Sequence, residues 1–244
     1  MAASNSMSNS RVALITGGTK GIGFEVARLL AERGIEVLIG SRDETKGEIA
    51  AEKLASQNLP VTYVLIDVTN QGNIDLAVTE VENSYGRLDI LINNSSIYLP
   101  EPRPIELPLD IIRLNFEVNF FGAFSVTKAF MPLLRQSPAG RIVNISNDLG
   151  SFYVHETSRQ PQFHCAYSAS KASLHMLTLQ LANDLKGTRI KVNACAPGSI
   201  PTDLTTYHEH AIAVATKPII YLATLSDDGP TGKFFGQHCE QGKW

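Results

Sequence analysis

The stretch VALITGGTKGIG, residues 12–23, decides the fold of this 244-residue chain. Its first five residues are mostly apolar and β-branched, which predicts a strand buried on both faces. Gly17, Gly21 and Gly23 follow in a GxxxGxG pattern, just before an amphipathic stretch at 22–32 that has helical spacing. A glycine-rich turn between a strand and a helix lets the backbone approach a diphosphate at the N–H groups of the helix. The stretch therefore predicts nucleotide binding by an α/β fold.

The rest of the chain repeats the alternation of strand and helix. Predicted strands lie at 12–16, 36–40, 61–67, 88–93, 141–146, 189–195 and 233–236. Predicted helices lie at 22–32, 44–55, 71–85, 108–135, 166–186 and 204–225. This pattern predicts a doubly wound parallel sheet with helices on both faces, formed by a single domain at 11–244. The small polar residues 1–10 are predicted to be a disordered leader.

The composition excludes several classes of function. A formal charge of −3 and the absence of any Lys/Arg cluster argue against binding to nucleic acid or to a membrane surface. No apolar run approaches the ~18 residues of a membrane span. Cys165, Cys195 and Cys239 have no metal-ligand spacing, so we expect reduced thiols, no metal and a cytoplasmic protein.

The end of the second predicted strand indicates which nucleotide binds. There the sequence reads EVLIGSRD, with Ser41 and Arg42 at the strand end and Asp43 beyond it, where we expect it to cap the next helix. An Arg at this place accommodates a 2′-phosphate, whereas NAD-binding folds carry an acidic residue. Lys20 in the glycine turn adds a second cation. We therefore expect NADP(H) to bind in preference to NAD(H), with contacts from Gly17, Thr19, Lys20, Gly21, Ile22, Gly23, Ser41 and Arg42.

Four motifs in order give a more specific indication. They are TGGTKGIG at 16–23, NNSS at 93–96, YSASK at 167–171 and NACAPGSIPTD at 193–203. With them the chain resembles the classical short-chain dehydrogenase/reductase family from about residue 11 onward, and within it most the carbonyl-reductase branch. The resemblance implies a Rossmann fold of about seven strands in the order 3-2-1-4-5-6-7.

The resemblance also implies roles for individual residues. Tyr167 would be the general acid, and Lys171, one helical turn later, would lower the Tyr167 pKa and hold the nicotinamide ribose. Asn119, in VNFFG, matches the residue that anchors a water relay to the lysine. The other residues implied in cofactor binding are Asp67, Val68, Asn93, Asn94, Pro197, Gly198, Ile200 and Thr202.

The chain departs from the family pattern where a serine normally binds the substrate oxygen, three residues before a glycine. Counting back from Gly150, this position is Asn147, and strand alternation predicts that Ser146 points to the opposite face. Three interpretations stay open. The Asn147 amide donates to the substrate oxygen, or the strand end shifts and Ser146 does so, or the site no longer reduces carbonyls.

Two further departures concern the surroundings of that site. Ser96 stands where the family has a glycine, so it either strains the backbone or adds a hydroxyl near the nicotinamide or substrate. The segment between Asn147 and Tyr167 is longer than usual and rich in aromatic residues and histidines. It either packs on itself or forms the wall of a pocket for a large apolar substrate.

Together these features predict an NADPH-dependent oxidoreductase that transfers hydride to a ketone, an aldehyde or an imine of a fairly bulky small molecule. Two other classes are kept as alternatives: a non-redox enzyme such as a cyclase or dehydratase, and an NADP-binding sensor or scaffold. Family members often pair through the long helices predicted at 108–135 and 166–186, which indicates a homodimer or homotetramer.

Overall fold

The computed structural model describes residues 10–158, 163–198 and 209–244. Every predicted strand forms, with changes at the ends. The strands are β1 Val12–Thr16, β2 Glu36–Ser41, β3 Val61–Leu65, β4 Ile90–Asn93, β5 Arg141–Ile145, β6 Lys191–Cys195 and β7 Lys233–Phe235. Because β3 ends at Leu65, Asp67 lies beyond the strand that was predicted to contain it. The predicted leader lies outside the described residues except for Ser10.

The seven strands form one parallel sheet in the order β3-β2-β1-β4-β5-β6-β7, which confirms the predicted fold. The order reverses at β1, because Ile15 pairs with Ile39 of β2 on one side and with Ile92 of β4 on the other. Ligands of open α/β sheets bind at such a switch point, beyond the carboxyl ends of the strands. The glycine turn that follows β1 lies at this place.

Helices cover both faces of the sheet, as predicted. They are α1 Gly21–Ala31, α2 Glu44–Ala55, α3 Gln71–Tyr85, α4 Leu109–Phe116, α5 Ala123–Gln136, α6 Phe152–Thr157, α7 Cys165–Asp184 and α8 Glu209–Ala223. Asp43 caps α2 as expected, since its Oδ1 accepts a hydrogen bond of 3.1 Å from the Lys46 N–H. Helix α6 was not predicted, and it lies in the long segment before Tyr167.

The helix predicted at 108–135 forms over residues 109–136, but it is not a uniform α-helix. It is divided into α4 and α5 by a π-helical segment, Glu117–Gly122, which contains Asn119. Wide turns of this kind occur frequently at functional sites. Gly122 lets the segment approach the residues that follow β3, because a Cβ there would lie 2.7 Å from Val68 Cγ2.

The core has two layers that follow the alternation of side chains along β1. Ala13 and Ile15 belong to the layer formed with α1, α2 and α8, whereas Val12 and Leu14 belong to the layer formed with α3, α5 and α7. A rigid sheet covered on both faces therefore holds the loops at the carboxyl ends of the strands. Within the described ranges, no helix has the length and apolar character needed to cross a membrane. The same ranges contain no group of three or more His, Cys, Asp or Glu side chains placed to hold a metal ion.

Candidate active site

The glycine turn after β1 has the backbone shape that a nucleotide diphosphate requires. Gly17 and Gly21 have φ angles of +64° and +58°, a region that disfavours residues with a side chain. A Cβ on Gly23 would lie 2.6 Å from Asn94 Nδ2 and 2.9 Å from the Gly17 carbonyl oxygen. Helix α1 begins directly after the turn, so its first N–H groups lie at the cradle. The residues present therefore fit the phosphates of a dinucleotide.

Asn94 holds this turn against the end of β4. Its Nδ2 donates to the carbonyl oxygens of Thr16, at 2.9 Å, and Gly17, at 3.0 Å. In return, Thr16 Oγ1 accepts hydrogen bonds of 3.0 Å from the N–H groups of Asn94 and Ser95. The Asn94 amide thus fixes the shape of the cradle from the β4 side.

The polar residues next to the turn differ in how far they are buried. Lys20 and Arg42 are exposed, as cations that meet a phosphate must be. Ser41 is buried, and its hydroxyl donates to the Asp43 carbonyl oxygen at 2.6 Å. Asp67 is half-buried and accepts from the Thr69 N–H at 2.9 Å. Lys20 and Arg42 are therefore exposed cations beside the turn, and their contact with a 2′-phosphate stays a prediction.

The remaining residues predicted to bind the cofactor differ in burial, and two of them lie outside the described residues. Thr19 and Ile22 are half-buried within the turn, and Val68 is buried against Gly122. Pro197 and Gly198 follow β6, where Gly198 has a φ of +87°. Ile200 and Thr202 lie outside the described residues.

The role of Asn93 in cofactor binding stays a prediction, and its side chain has other partners. Asn93 ends β4 with its side chain buried, and its Nδ2 donates to Thr127 Oγ1 at 2.9 Å and to Asn144 Oδ1 at 2.8 Å. Thr127 belongs to α5, so alternation along β4 has turned this side chain towards the helix layer. Asn93 and Asn144 join the sheet to its covering helices.

The end of β5 meets three successive turns of α7. Lys171 Nζ donates to the Ile145 carbonyl oxygen at 2.9 Å. Ser146 Oγ lies 2.7 Å from His175 Nε2, and the Asn147 side chain lies near enough to Tyr167 to act on the pKa of its hydroxyl. The three α7 residues are spaced i, i+4 and i+8, so they share one face of the helix. Consecutive strand residues thus each lie beside a different turn.

Asn147 acts on the pKa of the Tyr167 hydroxyl, whereas Ser146 pairs with His175. Ser146 is 3% exposed and lies beneath the site with His175. Asn147 Oδ1 accepts from the Leu149 N–H at 2.9 Å, which leaves the NH₂ group to face Tyr167. Gly150 sets this register, because a Cβ there would lie 2.8 Å from the Lys171 carbonyl carbon. The close contact of the 148–150 turn with α7 therefore places Asn147.

Burial dominates the pKa values of the Tyr–Lys pair. It raises the pKa of Tyr167 to about 12, while side-chain hydrogen bonds from Ser96 and Asn147 act in the opposite direction. Burial also lowers the pKa of Lys171 to about 7. The expectation that Lys171 lowers the Tyr167 pKa is therefore not met in this structure, where its Nζ lies 5.6 Å from the ring centroid. Tyr167 carries its proton at neutral pH, as a proton donor must.

Asn119 joins three parts of the site. Its Oδ1 accepts from the Ile97 N–H at 2.8 Å and from Ser96 Oγ at 3.1 Å, and its Nδ2 donates to Ser170 Oγ at 3.0 Å. Ser170 Oγ in turn donates to the Tyr167 carbonyl oxygen at 2.7 Å. The π-helical segment, the exit of β4 and α7 are therefore locked together. A water relay from Asn119 to Lys171 stays a prediction.

Ser96 causes no backbone strain. Among the described residues, the non-glycine residues with positive φ are Asn58 and Cys239. A serine at this position was expected either to strain the backbone or to add a hydroxyl to the site. The second consequence remains, and the hydroxyl donates to Asn119 Oδ1.

Sequence analysis missed Glu101, which caps the catalytic helix. Its Oε2 accepts from the Ala166 N–H at 2.8 Å, and its Oε1 accepts from the Tyr167 N–H at 2.9 Å. His164, at the N-cap position of α7, makes no side-chain cap. The missing Ser, Thr, Asp or Asn before the helix was a signal that the cap comes from elsewhere. Glu101 is distant from α7 in the sequence, and nothing in the sequence identifies it as the hydrogen-bond acceptor that caps this helix.

An aromatic side chain, Tyr98, packs against the Tyr167 ring. Tyr98 packs edge-on against it with ring centroids 5.1 Å apart, and the Tyr98 hydroxyl lies 2.9 Å from His164 Nδ1. Phe163 lies next to His164, with Arg103 positioned 5.6 Å from its ring centroid. Phe152 and other residues of the α6 segment are exposed. Tyr98 is therefore the aromatic side chain that the structure places directly beside Tyr167.

A glycine cradle at the switch point of a parallel sheet, next to a Tyr–Lys pair on one helix face, defines an oxidoreductase of the Rossmann class. The short chain dehydrogenase family model matches residues 11–212. Salutaridine reductase of Papaver somniferum is 29% identical over 299 aligned positions, which cover 95% of this chain and 96% of the relative. Its solved structure superimposes with a TM-score of 0.78 at 28% identity, covering 92% of this chain and 99% of that one.

Carbonyl reductase (NADPH) 1 of Mus musculus is 30% identical over 279 aligned positions, which cover 93% of this chain and 97% of the relative. The chain belongs to the short-chain dehydrogenase/reductase family. The resemblance stated from four motifs is thereby confirmed, including its direction towards the carbonyl reductases.

Proposed function

We propose that this protein is an NADPH-dependent reductase that converts a ketone or aldehyde of a fairly bulky small molecule to an alcohol. Tyr167 donates the proton to the carbonyl oxygen. Asn147 donates a hydrogen bond to the same oxygen, in place of the usual serine. Lys171 and Asn119 hold the Tyr167 helix and the cofactor side of the site in place. Homodimer or homotetramer formation stays a prediction.

The observation that carries this proposal is the meeting of two donors, the Tyr167 hydroxyl and the Asn147 NH₂ group. Because the Leu149 N–H holds Asn147 Oδ1, the amide faces the site only with its donor. A carbonyl oxygen is a pure acceptor that gains negative charge in the transition state, so it matches two donors. A protonated imine would present a donor of its own to both. The arrangement therefore favours a carbonyl substrate over an imine.

The proposed cofactor is NADPH, which would supply the hydride. The cradle at Gly17, Gly21 and Gly23 fits its diphosphate, and exposed Arg42 and Lys20 suit a 2′-phosphate. The name of the related mouse carbonyl reductase includes NADPH, in agreement with this choice. Tyr98 packs against the Tyr167 ring and is exposed, and the related protein from Papaver somniferum is named as a reductase of salutaridine. A bulky apolar substrate follows from these two points.

The test is NADPH oxidation by the purified protein with bulky ketones, aldehydes, quinones and cyclic imines. We expect oxidation with carbonyl compounds, and Tyr167→Phe should lower kcat by about 10²–10⁴-fold because it removes the general acid. Tyr221→Phe is the matched control, since this half-exposed ring lies on α8 and packs edge-on against Phe235 of β7.

Three results would contradict the proposal or one of the roles in it. Substrate turnover without net NADPH oxidation would indicate a non-redox enzyme. Tight NADPH binding without turnover of any compound would favour a sensor or scaffold. Faster reduction of imines than of ketones would contradict the role of the Asn147 donor.

A further inference from the structure

His175 is a buried ionisable side chain that the proposed reaction does not use. It lies on α7, one helical turn beyond Lys171, and only 3% of it is exposed. Its Nε2 lies 2.7 Å from Ser146 Oγ, and both side chains are buried. Burial of a polar group is costly unless a hydrogen-bond partner accompanies it. The hydrogen bond between His175 and Ser146 therefore gives the exit of β5 a fixed point on α7.

Ser146 extends the pairing of β5 with β6 by one residue. Its N–H donates to the Cys195 carbonyl oxygen at 2.7 Å, so its backbone is held by the sheet. Its side chain is held by α7 through His175. The backbone stays extended at Asn147, with a φ of −154° and a ψ of 152°. Because successive side chains alternate along an extended backbone, the direction of the Ser146 side chain determines the direction of the Asn147 side chain.

The turn that follows Asn147 is held by other contacts. Gly150 packs against the backbone of α7, where an added Cβ would lie 2.8 Å from a carbonyl carbon. The fully buried Ser151 donates through its Oγ to the Lys243 carbonyl oxygen at 2.7 Å. These contacts fix the chain after Asn147, whereas the hydrogen bond to His175 fixes the chain before it.

Two aromatic rings cover the His175 imidazole. The ring centroids of Phe234 and Trp244 lie 4.5 Å and 5.0 Å from that of His175. Burial, together with the Lys171 charge, lowers the pKa of His175 to about 4, so the imidazole is neutral at neutral pH. A neutral ring has one donor and one acceptor nitrogen, so Nε2 pairs with Ser146 in either tautomer. The hydrogen bond is therefore kept throughout the neutral pH range.

We propose that His175 is a positioning residue whose hydrogen bond to Ser146 fixes the exit of β5, so that the Asn147 amide points at the substrate oxygen. His175 acts through Ser146 and exchanges no proton with the substrate. This inference rests on the proposed reductase function, in which Asn147 donates to the carbonyl oxygen. Such a donor acts on charge that develops in the transition state. Loss of its position therefore lowers kcat more than it changes the KM of the carbonyl compound.

The test compares His175→Leu, His175→Gln and Ser146→Ala at saturating NADPH. His175→Leu and Ser146→Ala break the same hydrogen bond, and we expect each to lower kcat by roughly 10–10²-fold with little change in KM. A glutamine amide reaches the place of the imidazole Nε2 and offers a donor and an acceptor, so His175→Gln should retain most of the activity. The matched controls, His238→Leu and Ser173→Ala, should keep the wild-type kcat. His238 is exposed, and the Ser173 hydroxyl donates to the Ala169 carbonyl oxygen of its own helix.

Two double variants separate positioning from general damage to the fold. His175→Leu combined with Ser146→Ala should be no slower than the slower single variant, because both changes break one hydrogen bond. His175→Leu combined with Asn147→Ala should have the kcat of Asn147→Ala alone, because a positioning residue has no effect once the side chain that it positions is removed. If His175→Leu does not fold, Ser146→Ala takes its place in the second combination. NADPH affinity, measured by fluorescence, should change little in every variant.

The outcomes distinguish this inference from the function on which it rests. If the wild type reduces carbonyl compounds and Asn147→Ala is slow, but His175→Leu and Ser146→Ala keep the wild-type kcat, the positioning role is wrong and the reductase stands. An equal loss when His175→Leu is added to the wild type and to Asn147→Ala would also overturn it, because His175 would then act on another part of the site. So would a loss of activity that persists in His175→Gln. If the wild type reduces no carbonyl compound, both are wrong.

Discussion

The site has a cofactor half, at the ends of β1 and β2, and a catalytic half, at the end of β5 and the start of α7. The two halves use different kinds of functional group. At the ends of β1 and β2, backbone conformation makes the cradle, and the charged side chains Lys20 and Arg42 are exposed. At the ends of β5 and α7, the functional groups are buried side chains, with Tyr167, Lys171 and His175 only 9%, 2% and 3% exposed. The difference predicts that surface charge controls cofactor binding, whereas pH and packing control the catalytic half.

Physical chemistry explains why the two halves differ. A phosphate is strongly hydrated, and the cations that bind it are hydrated as well. Exposed cations can therefore pair with the phosphate charge without the desolvation penalty of burial. In the catalytic half, low polarity favours the neutral form of each ionisable group. Burial and the Lys171 charge accordingly lower the pKa of His175 to about 4.

The largest expected effect tests the burial of the catalytic half. His175 has a folded-state pKa of about 4, below its ordinary 6.5, so the unfolded chain binds more protons between these values. Its contribution to stability is complete above pH 6.5 and decreases as the pH falls to 4, by about 3 kcal/mol. His175→Gln should therefore flatten the fall of the free energy of unfolding in this window, as measured by urea denaturation.

His238→Gln is the control for that experiment, because His238 is exposed. The free energy of unfolding of the His238→Gln variant should vary with pH in the same way as that of the wild type. If His175→Gln keeps the full wild-type slope between pH 6.5 and 4, the imidazole is not held neutral in the folded protein. The proposed contrast in burial between the halves would then fail.

The next effect tests the surface charges of the cofactor half. Arg42→Ala should weaken NADPH binding by about 10–100-fold and leave NADH binding nearly unchanged, because only NADPH carries the 2′-phosphate. Binding of each nucleotide is measured by its fluorescence at several salt concentrations. Arg33→Ala removes an equally exposed arginine at the end of α1 and should change neither affinity. Equal losses for both nucleotides would show that Arg42 does not read the 2′-phosphate.

The two halves also differ in how far the sequence predicts them. The glycine turn, the Asp43 cap and all seven strands depend on local patterns, and each was predicted within a few residues of its place. Asn93 was assigned to the cofactor because its motif lies near the cradle, and alternation turns its side chain towards α5. A sequence motif locates the end of a strand. Which face of the sheet a given side chain lies on depends on the alternation of side chains along that strand.

The catalytic half was predicted as a list of residues without its contacts. The i, i+4 spacing of Tyr167 and Lys171 is local, but the hydrogen bonds of Ser96 to Asn119 and of Ser146 to His175 join distant segments. The π-helical segment around Asn119 interrupts what reads as one continuous amphipathic helix. Its position depends on the contact of Gly122 with Val68, which only the folded chain brings together.

The smallest expected effect tests a contact that the sequence did not reveal, the cap of α7 by Glu101. Glu101→Ala removes the acceptor for two N–H groups, including that of Tyr167, and should lower the free energy of unfolding by about 1 kcal/mol. Because the cap also positions the Tyr167 turn, kcat should fall with little change in NADPH affinity. Glu106→Ala, an exposed residue of the same segment, is the control. If the two variants match in stability and kcat, the first turn of α7 does not need Glu101, which follows β4. The two halves of the site would then depend on each other less than these contacts indicate.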